Sequence, residues 1–165
     1  MKEIILKRVE GQEENDIFNS LITNFHYLRK PRYHGRQIKY FILVNNDVLG
    51  GIQFSDPTWT VYRRYQAYTN GEIIENSRFL LLKRIKNLGS QVLKHSIKNV
   101  KFDWFYRTGI VPRLMISYVD IERGYLGTVY KASNFRLAGK SFGKNLNRWG
   151  RNKNTSAKLL FEYKL

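Results

Sequence analysis

Residues 77–99, SRFLLLKRIKNLGSQVLKHSIKN, decide the fold class of this chain. The stretch opens with an apolar run over 77–82, which is typical of a buried strand. A basic loop follows, and a helix then opens at Gly89 and extends to about Asn99. A strand that leads through a short loop into a helix is one βα unit of an α/β domain.

A second βα unit follows, in which a strand at 114–119 ends at Asp120 and residues 127–134 give one to two helical turns. Residues 104–109 are predicted to be irregular. Before the first βα unit, the pattern predicts a strand at 4–9, a helix at 13–28 and a hairpin of strands 39–44 and 48–54. The apolar face of this helix is formed by Ile17, Leu21, Phe25 and Leu28. Closing strands are predicted at 135–138 and 159–163. Together these elements predict an α/β fold with a central mixed β-sheet flanked by helices.

The composition fits one globular domain over residues 1–165, with 42% hydrophobic and 25% charged residues. Cysteine is absent, which excludes disulfides, thiolate zinc sites and a cysteine nucleophile. Three histidines leave little room for a histidine-rich metal site, so we expect no metal. Without a long apolar run or a signal-peptide pattern, we expect a cytoplasmic protein with no membrane partner.

The charge is strongly basic and clustered. Lys and Arg number 29 against 13 acids, a net charge of +16. Residues 123–161 hold nine bases and no acid, and residues 17–46 hold five bases and no acid. Such clustering predicts a polyanion partner, and we expect double-stranded DNA, with the loop 139–158 as a DNA-contacting extension. The candidate nucleic-acid-binding residues are Arg32, Arg36, Arg63, Arg64, Lys140, Lys144, Arg148, Arg151 and Lys153. A merely basic surface is the simpler alternative.

A candidate site for a pyrophosphate lies between the strand and the helix of the first βα unit. The free N–H groups of a helix start, together with nearby cations, attract phosphate. The residues concerned are Lys83, Arg84, Asn87, Gly89 and Ser90. An ordinary surface turn with lysines has the same sequence pattern.

Four other side chains are candidates for chemistry. Asp120 at a strand end can act as a general base or accept from an adenine edge, and it can equally cap a loop. Tyr130 can protonate a leaving group or simply pack in the core. His26 can act as a base, although a structural histidine is commoner. Ser77 lies at the predicted start of a strand. No P-loop and no Gly-x-Gly-x-x-Gly occurs, which disfavours NTP hydrolysis and nicotinamide chemistry.

Several short motifs resemble the Mom family of phage DNA-modification proteins. They are GTVYKASNF at 127–135 after SYVD at 117–120, NSRF at 76–79, and the His-Tyr pair at 26–27. The run at 129–135 also resembles the later helix of the GNAT acetyltransferase superfamily. That resemblance implies a GNAT-like fold in which the fourth strand and the following helix cradle the pyrophosphate of coenzyme A.

A further resemblance is to the DruA-like family of anti-phage defence proteins. It rests on Asn-Ser-Arg-Phe-Leu, Asn-Leu-x-Ser and Tyr-x-Ala-x-Asn elements, which begin here at Asn76, Asn87 and Tyr130. Because we expect DruA-like chains to be longer, the chain is assigned at this stage to the Mom-like proteins.

The Mom resemblance implies conversion of adenine in DNA to N6-carbamoylmethyladenine, which protects phage DNA from host restriction. The target base must then be flipped out of the duplex. Asp120 would be the base or N6 acceptor, Tyr130 the leaving-group acid, and His26, Tyr27 and Ser77 pocket residues. The donor would be acetyl-CoA or a related acyl donor. Its phosphates would meet Lys83, Arg84, Gly89 and Ser90, while Tyr27, Trp59 and Tyr118 would stack on the base.

Two functions therefore stay open, a DNA base-modifying transferase and a non-catalytic DNA-binding protein of a phage-defence or transposition system. An acetyltransferase for small molecules or proteins leaves the charge of +16 unexplained. The sequence is compatible with a monomer or a homodimer. A V-shaped splay between the strands that end near Leu82 and Asp120 would support the predicted fold. The first hypothesis requires Ser77, Asp120 and Tyr130 to lie around one cleft.

Overall fold

The computed structural model describes residues 3–141, 144–146, 152–154 and 156–165. The elements follow in chain order as β1 (Ile4–Arg8), α1 (Gly11–Phe25), β2 (Gln37–Val44), β3 (Asp47–Ser55), α2 (Trp59–Arg64), β4 (Ile73–Leu81), α3 (Leu88–Thr108), β5 (Leu114–Asp120), α4 (Thr128–Lys131), β6 (Arg136–Ser141), β7 (Lys144–Leu146), β8 (Asn152–Asn154) and β9 (Lys158–Lys164). A short 3-10 turn at Ile121–Arg123 follows β5.

Seven strands form one sheet in the order β1-β2-β3-β4-β5-β9-β6. The pair β4–β5 is parallel, while the other neighbours in this sheet are antiparallel. A parallel pair needs a crossover connection, which α3 supplies. The predicted fold class, an α/β domain with a mixed central sheet and flanking helices, is confirmed. Strands β7 and β8 pair separately, within the segment that we predicted to be a loop.

Helices cover both faces of the sheet. Val92 and Trp104 of α3 pack in one cluster with Ile74 and Met115. On the other face, Val61 of α2 packs with the strand residues Ile73, Leu114 and Ile116, and Phe18 and Ile22 of α1 pack with Phe41 and Leu80. Because side chains alternate along a strand, neighbouring residues of β4 and β5 belong to opposite layers. We call these layers the α3 face and the α2 face.

The buried side of α1 differs from the prediction. Ile17 and Phe25 are 55% and 62% exposed, whereas Phe18 and Ile22 are fully buried. The helix carries two apolar stripes one residue apart, so spacing alone cannot choose between them. Packing against the sheet determines which stripe is buried, because Gly51 of β3 leaves room for the Phe18 ring. A Cβ at position 51 would lie 2.7 Å from that ring.

Several boundaries were also wrong, and α1 ends at Phe25, so Leu28 lies outside the helix. Helix α3 continues through the predicted irregular stretch 104–109 as far as Thr108, and Gly109 ends it in the left-handed region at φ 71°. Strand β4 begins at Ile73, four residues before the predicted start at Ser77. Full burial of Trp104, whose Nε1–H donates to the Gly71 carbonyl at 2.9 Å, explains the longer helix. No helix in the described ranges is long and apolar enough to cross a bilayer.

Candidate active site

Strands β4 and β5 separate in a V, as predicted. Their parallel register covers three positions and ends at the pair Glu75–Ile116. Beyond this pair β4 continues to Leu81 and β5 to Asp120. In the described part of the chain, the two strands therefore leave a gap between their carboxyl-terminal halves. Ligands of open α/β sheets bind at such carboxyl ends.

Ser77 lies at a bulge beside this gap. Gln53 pairs with Arg78 and Phe54 pairs with Asn76, so Ser77 is left out of the register with β3. The amide of Asn76 stabilises the bulge by donating from Nδ2 to the Gln53 carbonyl at 3.2 Å and to the Arg78 carbonyl at 3.1 Å. A bulge bends its strand and redirects backbone groups, here at the point where β4 leaves β5.

Tyr130 closes the gap on the α3 face. Its hydroxyl donates to Asn76 Oδ1 at 2.7 Å, and its ring stacks on Phe161 with centroids 5.6 Å apart. Burial raises the pKa of the Tyr130 phenol, so it stays protonated at neutral pH. Gly127 makes this position possible, because it adopts φ 70° and lies directly under the Phe161 ring. Ser117 of β5 adds a hydrogen bond from Oγ to the Asn76 carbonyl at 3.3 Å.

Glu75 lies at the apex of the V and was not singled out from the sequence. Strand alternation places it on the α2 face with Ile73, and it is 8% exposed. Its Oε2 lies 3.3 Å from an N–H nitrogen of Arg32. Burial raises the pKa of this carboxyl, while the charges of Arg32 and Arg78 oppose the shift. One sequence signal was present, since Glu75 is a single carboxylate inside an otherwise apolar strand start.

His26 and Tyr27 come together with the turn after β5. His26 ends α1, and its Nδ1 accepts from the Leu28 N–H at 3.1 Å. The His26 ring stacks on Tyr27 at 4.5 Å, and the Arg123 guanidinium lies 4.8 Å from the Tyr27 centroid. Burial, with the charges of Arg78 and Arg123, lowers the pKa of His26 to about 4. His26 is therefore neutral at pH 7, with its proton on Nε2.

Asp120 holds the turn that follows β5. Its Oδ1 accepts from the Glu122 N–H at 3.1 Å, and its Oδ2 accepts from the Ser156 hydroxyl at 2.6 Å. Arg123 adds an ion pair at 3.7 Å. These contacts are typical of a loop cap, the alternative to a catalytic role that the sequence left open for Asp120. Burial raises the pKa of the Tyr27 phenol, and the negative charge of Asp120 raises it further.

The three residues expected around one cleft lie at different positions relative to this gap, and their sharing one cleft stays a prediction. Ser77 lies on its β4 edge, Tyr130 on the α3 face, and Asp120, by strand alternation, on the α2 face. A separate open groove of about 630 Å³ contains Arg8, Lys39 and Arg107 and lies near the start of α1.

The candidate phosphate site lies where α3 begins. Lys83, Arg84 and Asn87 are exposed, and Asn87 adopts the left-handed region at φ 63° immediately before the helix. Ser90 donates from Oγ to the Asn87 carbonyl at 3.0 Å. Gly89 is buried against α4, and a Cβ there would lie 3.0 Å from the side chain of Val129. The start of α3 is thereby held next to the helix that carries Tyr130.

The residues predicted to bind nucleic acid have different surroundings. Arg36 forms a two-point ion pair with Asp56, with distances of 2.8 Å from Nε and 2.7 Å from the terminal nitrogen, and Arg32 pairs with Glu75. Arg64 donates to the Ala138 carbonyl and is otherwise exposed. Arg63 and Lys140 are exposed, Lys144 lies on β7, and Lys153 lies on β8. Arg148 and Arg151 lie outside the described residues.

The chain matches a known protein family over most of its length. The family model of the Druantia protein DruA matches residues 2–153. The chain belongs to the DruA family. The DruA-like resemblance of the Asn76, Asn87 and Tyr130 motifs is thereby confirmed, whereas the assignment of this DruA-family chain to the Mom-like proteins stays a prediction. No curated protein sequence matches the chain.

Solved structures show the fold of this DruA-family protein. Arabidopsis thaliana NAA60 in complex with a bisubstrate analogue is 12% identical, with a TM-score of 0.65 over 99% of each chain. A Bacillus subtilis acetyltransferase in complex with CoA is 13% identical, with a TM-score of 0.61 over 100% of this chain and 99% of the other. A GNAT-family acetyltransferase from Streptococcus pneumoniae is 13% identical, with a TM-score of 0.60 over 99% and 100%. The predicted GNAT-like fold is confirmed.

Proposed function

We propose that this DruA-family protein transfers an acyl-type group from a thioester donor, acetyl-CoA or a relative of it, to an exocyclic amine of a nucleobase in DNA. The observation that carries the proposal is the gap between β4 and β5, which has a protonated phenol on one face and a buried carboxylate on the other. These are the groups that an acid–base group transfer needs.

The gap suits an extended donor arm. The β4 edge that turns away from β5 after Glu75 offers backbone groups to a strand-like ligand. The phosphates of the donor would then reach the first turn of α3, next to the exposed cations Lys83 and Arg84. Asn87 and Ser90 would help to shape this turn. Structural neighbours that were solved with CoA or a bisubstrate analogue support this choice of donor.

The proposed step uses Glu75 and Tyr130. A thioester supplies an activated acyl carbon when it is bound. Glu75 takes a proton from the acceptor amine while the amine nitrogen forms a bond to that carbon and the C–S bond breaks. Tyr130 delivers a proton to the departing sulfur. A raised pKa suits both groups, because it makes Glu75 a better base and keeps Tyr130 protonated.

Asp120 fits the role of general base less well than Glu75. Both of its carboxylate oxygens already accept hydrogen bonds, from Glu122 and Ser156. We propose that Asp120 positions the segment that carries Arg123, and through it the rings of Tyr27 and His26. These residues would then border the acceptor pocket, as the sequence predicted.

A DNA acceptor accounts for the charge of the chain. The net charge of +16 favours a polyanion, and a base must leave the duplex to reach a buried carboxylate. Arg63, Lys140 and the basic segment 139–158 are our candidates for phosphate contacts. Arg36 is left out, because Asp56 occupies its guanidinium. Trp59, which is 74% exposed, is the candidate for stacking on bases.

The family suggests where such an activity acts. Membership of the DruA family favours a role in anti-phage defence, whereas the Mom-type carbamoylmethylation of adenine N6 is a finer prediction about the group transferred. A non-catalytic DNA-binding protein of a defence system is the second candidate. The structural contacts of Asp120 and His26 favour it, since two residues predicted to be catalytic have ordinary stabilising roles.

Mass spectrometry of nucleosides separates the two candidates. DNA is isolated from cells that express the protein, and purified DNA is incubated with the protein and acetyl-CoA. We expect a new nucleoside adduct that Glu75→Gln abolishes, while DNA binding persists. Glu14→Gln, which changes a carboxylate on α1 that pairs with Lys7, is the matched control. The mass of the adduct distinguishes acetyl from carbamoylmethyl, and an unchanged nucleoside profile with intact binding favours the non-catalytic candidate.

A further inference from the structure

The outward face of α3 carries an unusual set of side chains. Its second half exposes three aromatic rings, Phe102 at 68%, Phe105 at 49% and Tyr106 at 76%. These positions repeat at helical spacing and so lie on one side of the helix. Buried Val100 and Trp104 occupy the opposite side, towards the sheet. Large exposed rings clustered on one face mark a binding surface.

Lysines extend the same face towards the start of the helix. Lys94, Lys98 and Lys101 are exposed and follow the helical repeat of the rings. Asp103 is the one acid within residues 88–108, all of which the structure describes. Its carboxylate is turned aside, because it accepts from the Tyr40 hydroxyl at 2.5 Å and from Arg8 at 3.1 Å. On α3 itself the outward face therefore combines cations and rings with Asp103 as the one acid, and Glu10 lies near Tyr106 in the groove at the start of α1.

The arrangement of the rings points to planar partners. Phe102 and Tyr106 are nearly parallel, with an interplanar angle of 14° and centroids 6.4 Å apart. Parallel, exposed rings beside cations are the features that stack bases and track phosphates in single-stranded nucleic acid. From Lys94 to Tyr106 the helix rises about 18 Å, which is long enough to contact several nucleotides of an extended strand.

We propose that the outward face of α3 binds a single-stranded segment of nucleic acid, with bases stacked on Phe102, Phe105 and Tyr106 and phosphates along Lys94, Lys98 and Lys101. This surface is distinct from the gap between β4 and β5, and it does not depend on the group-transfer activity. A protein partner would also suit exposed rings, but the row of lysines without acids and the parallel rings favour nucleic acid.

Fluorescence anisotropy with labelled oligothymidine of about twelve residues tests this surface. The triple variant Phe102→Ala, Phe105→Ala, Tyr106→Ala should lose roughly tenfold in affinity for each base that no longer stacks. Its affinity for duplex DNA, whose bases are already stacked, should stay unchanged. Phe25→Ala, which removes a ring 62% exposed on α1, is the matched control. Circular dichroism verifies that each variant folds.

Two further measurements complete the test. Replacing Lys94, Lys98 and Lys101 by Gln should reduce the slope of log affinity against log salt by about 2 for single strands. Photocrosslinking with 5-iododeoxyuridine should label peptides that contain Phe102 or Tyr106. The proposal is overturned if the triple variant binds single strands like the Phe25 control, or if the rings instead govern self-association of the protein in sedimentation experiments.

Discussion

Substituting Gly127 with alanine tests whether the close contact beneath α4 holds Tyr130 in place. Gly127 adopts φ 70°, a conformation that costs a residue with a Cβ about 1–2 kcal/mol. A Cβ there would also stand 2.3 Å from two atoms of the Phe161 ring, which is 0% exposed and cannot move into solvent. Overpacking of this kind costs about 1–3 kcal/mol, so the total loss should be about 2–5 kcal/mol.

Gly109→Ala provides the control for this substitution. Gly109 adopts nearly the same conformation, φ 71°, but a Cβ there would meet nothing within 4 Å. Its variant should lose only the conformational part, about 1–2 kcal/mol. Urea unfolding followed by circular dichroism measures both free energies. The difference between the two variants isolates the clash with Phe161, and equal losses would show that α4 is not held by this contact.

A second effect should accompany the loss of stability in Gly127→Ala. The Tyr130 ring stacks on Phe161, so a displaced Phe161 ring also shifts Tyr130. We therefore expect the hydrogen bond from Tyr130 to Asn76 to weaken, with a lower yield of nucleoside adduct from the variant that is still folded. The Gly109 variant, at the far end of α3, should retain the yield of the parent protein.

Three other substitutions give direct outcomes. His26 has a folded-state pKa of about 4, below its value in the unfolded chain. The stability that neutral His26 contributes is therefore complete above pH 6.5 and is lost as the pH falls towards 4, a loss of about 3 kcal/mol in the free energy of unfolding. His26→Gln should flatten this part of a plot of unfolding free energy against pH. Tyr130→Phe should cost about 0.5–1.5 kcal/mol of stability through the lost bond to Asn76, and it should lower adduct formation without changing DNA affinity. Arg36→Lys breaks the two-point ion pair with Asp56, so it should lower the melting temperature and leave the salt dependence of DNA binding unchanged. A changed slope of log affinity against log salt would instead show that Arg36 contacts DNA.

The candidate site was only partly visible in the sequence. The motif around Tyr130 led to the helix that carries it, because Gly127 and the aromatic spacing are local signals, whereas its partner Asn76 on β4 was not foreseen. Glu75 escaped notice because a lone carboxylate in a strand has no motif, and its significance depends on burial and on Arg32, which lies far away in the chain. For Asp120 the sequence shows the position at a strand end but not the partner Ser156, which lies far away in the chain.

The sequence by itself determined the order of the main strands and helices other than β7 and β8, the two βα units and the basic character of the chain. These properties depend on local periodicity and composition, which need no knowledge of distant contacts. The tertiary structure alone decided which stripe of α1 is buried, because Gly51 of a distant strand makes room for Phe18. It also decided that β4 and β5 part after Glu75, since pairing between strands on either side of a 21-residue helix is a long-range choice that neither strand encodes alone.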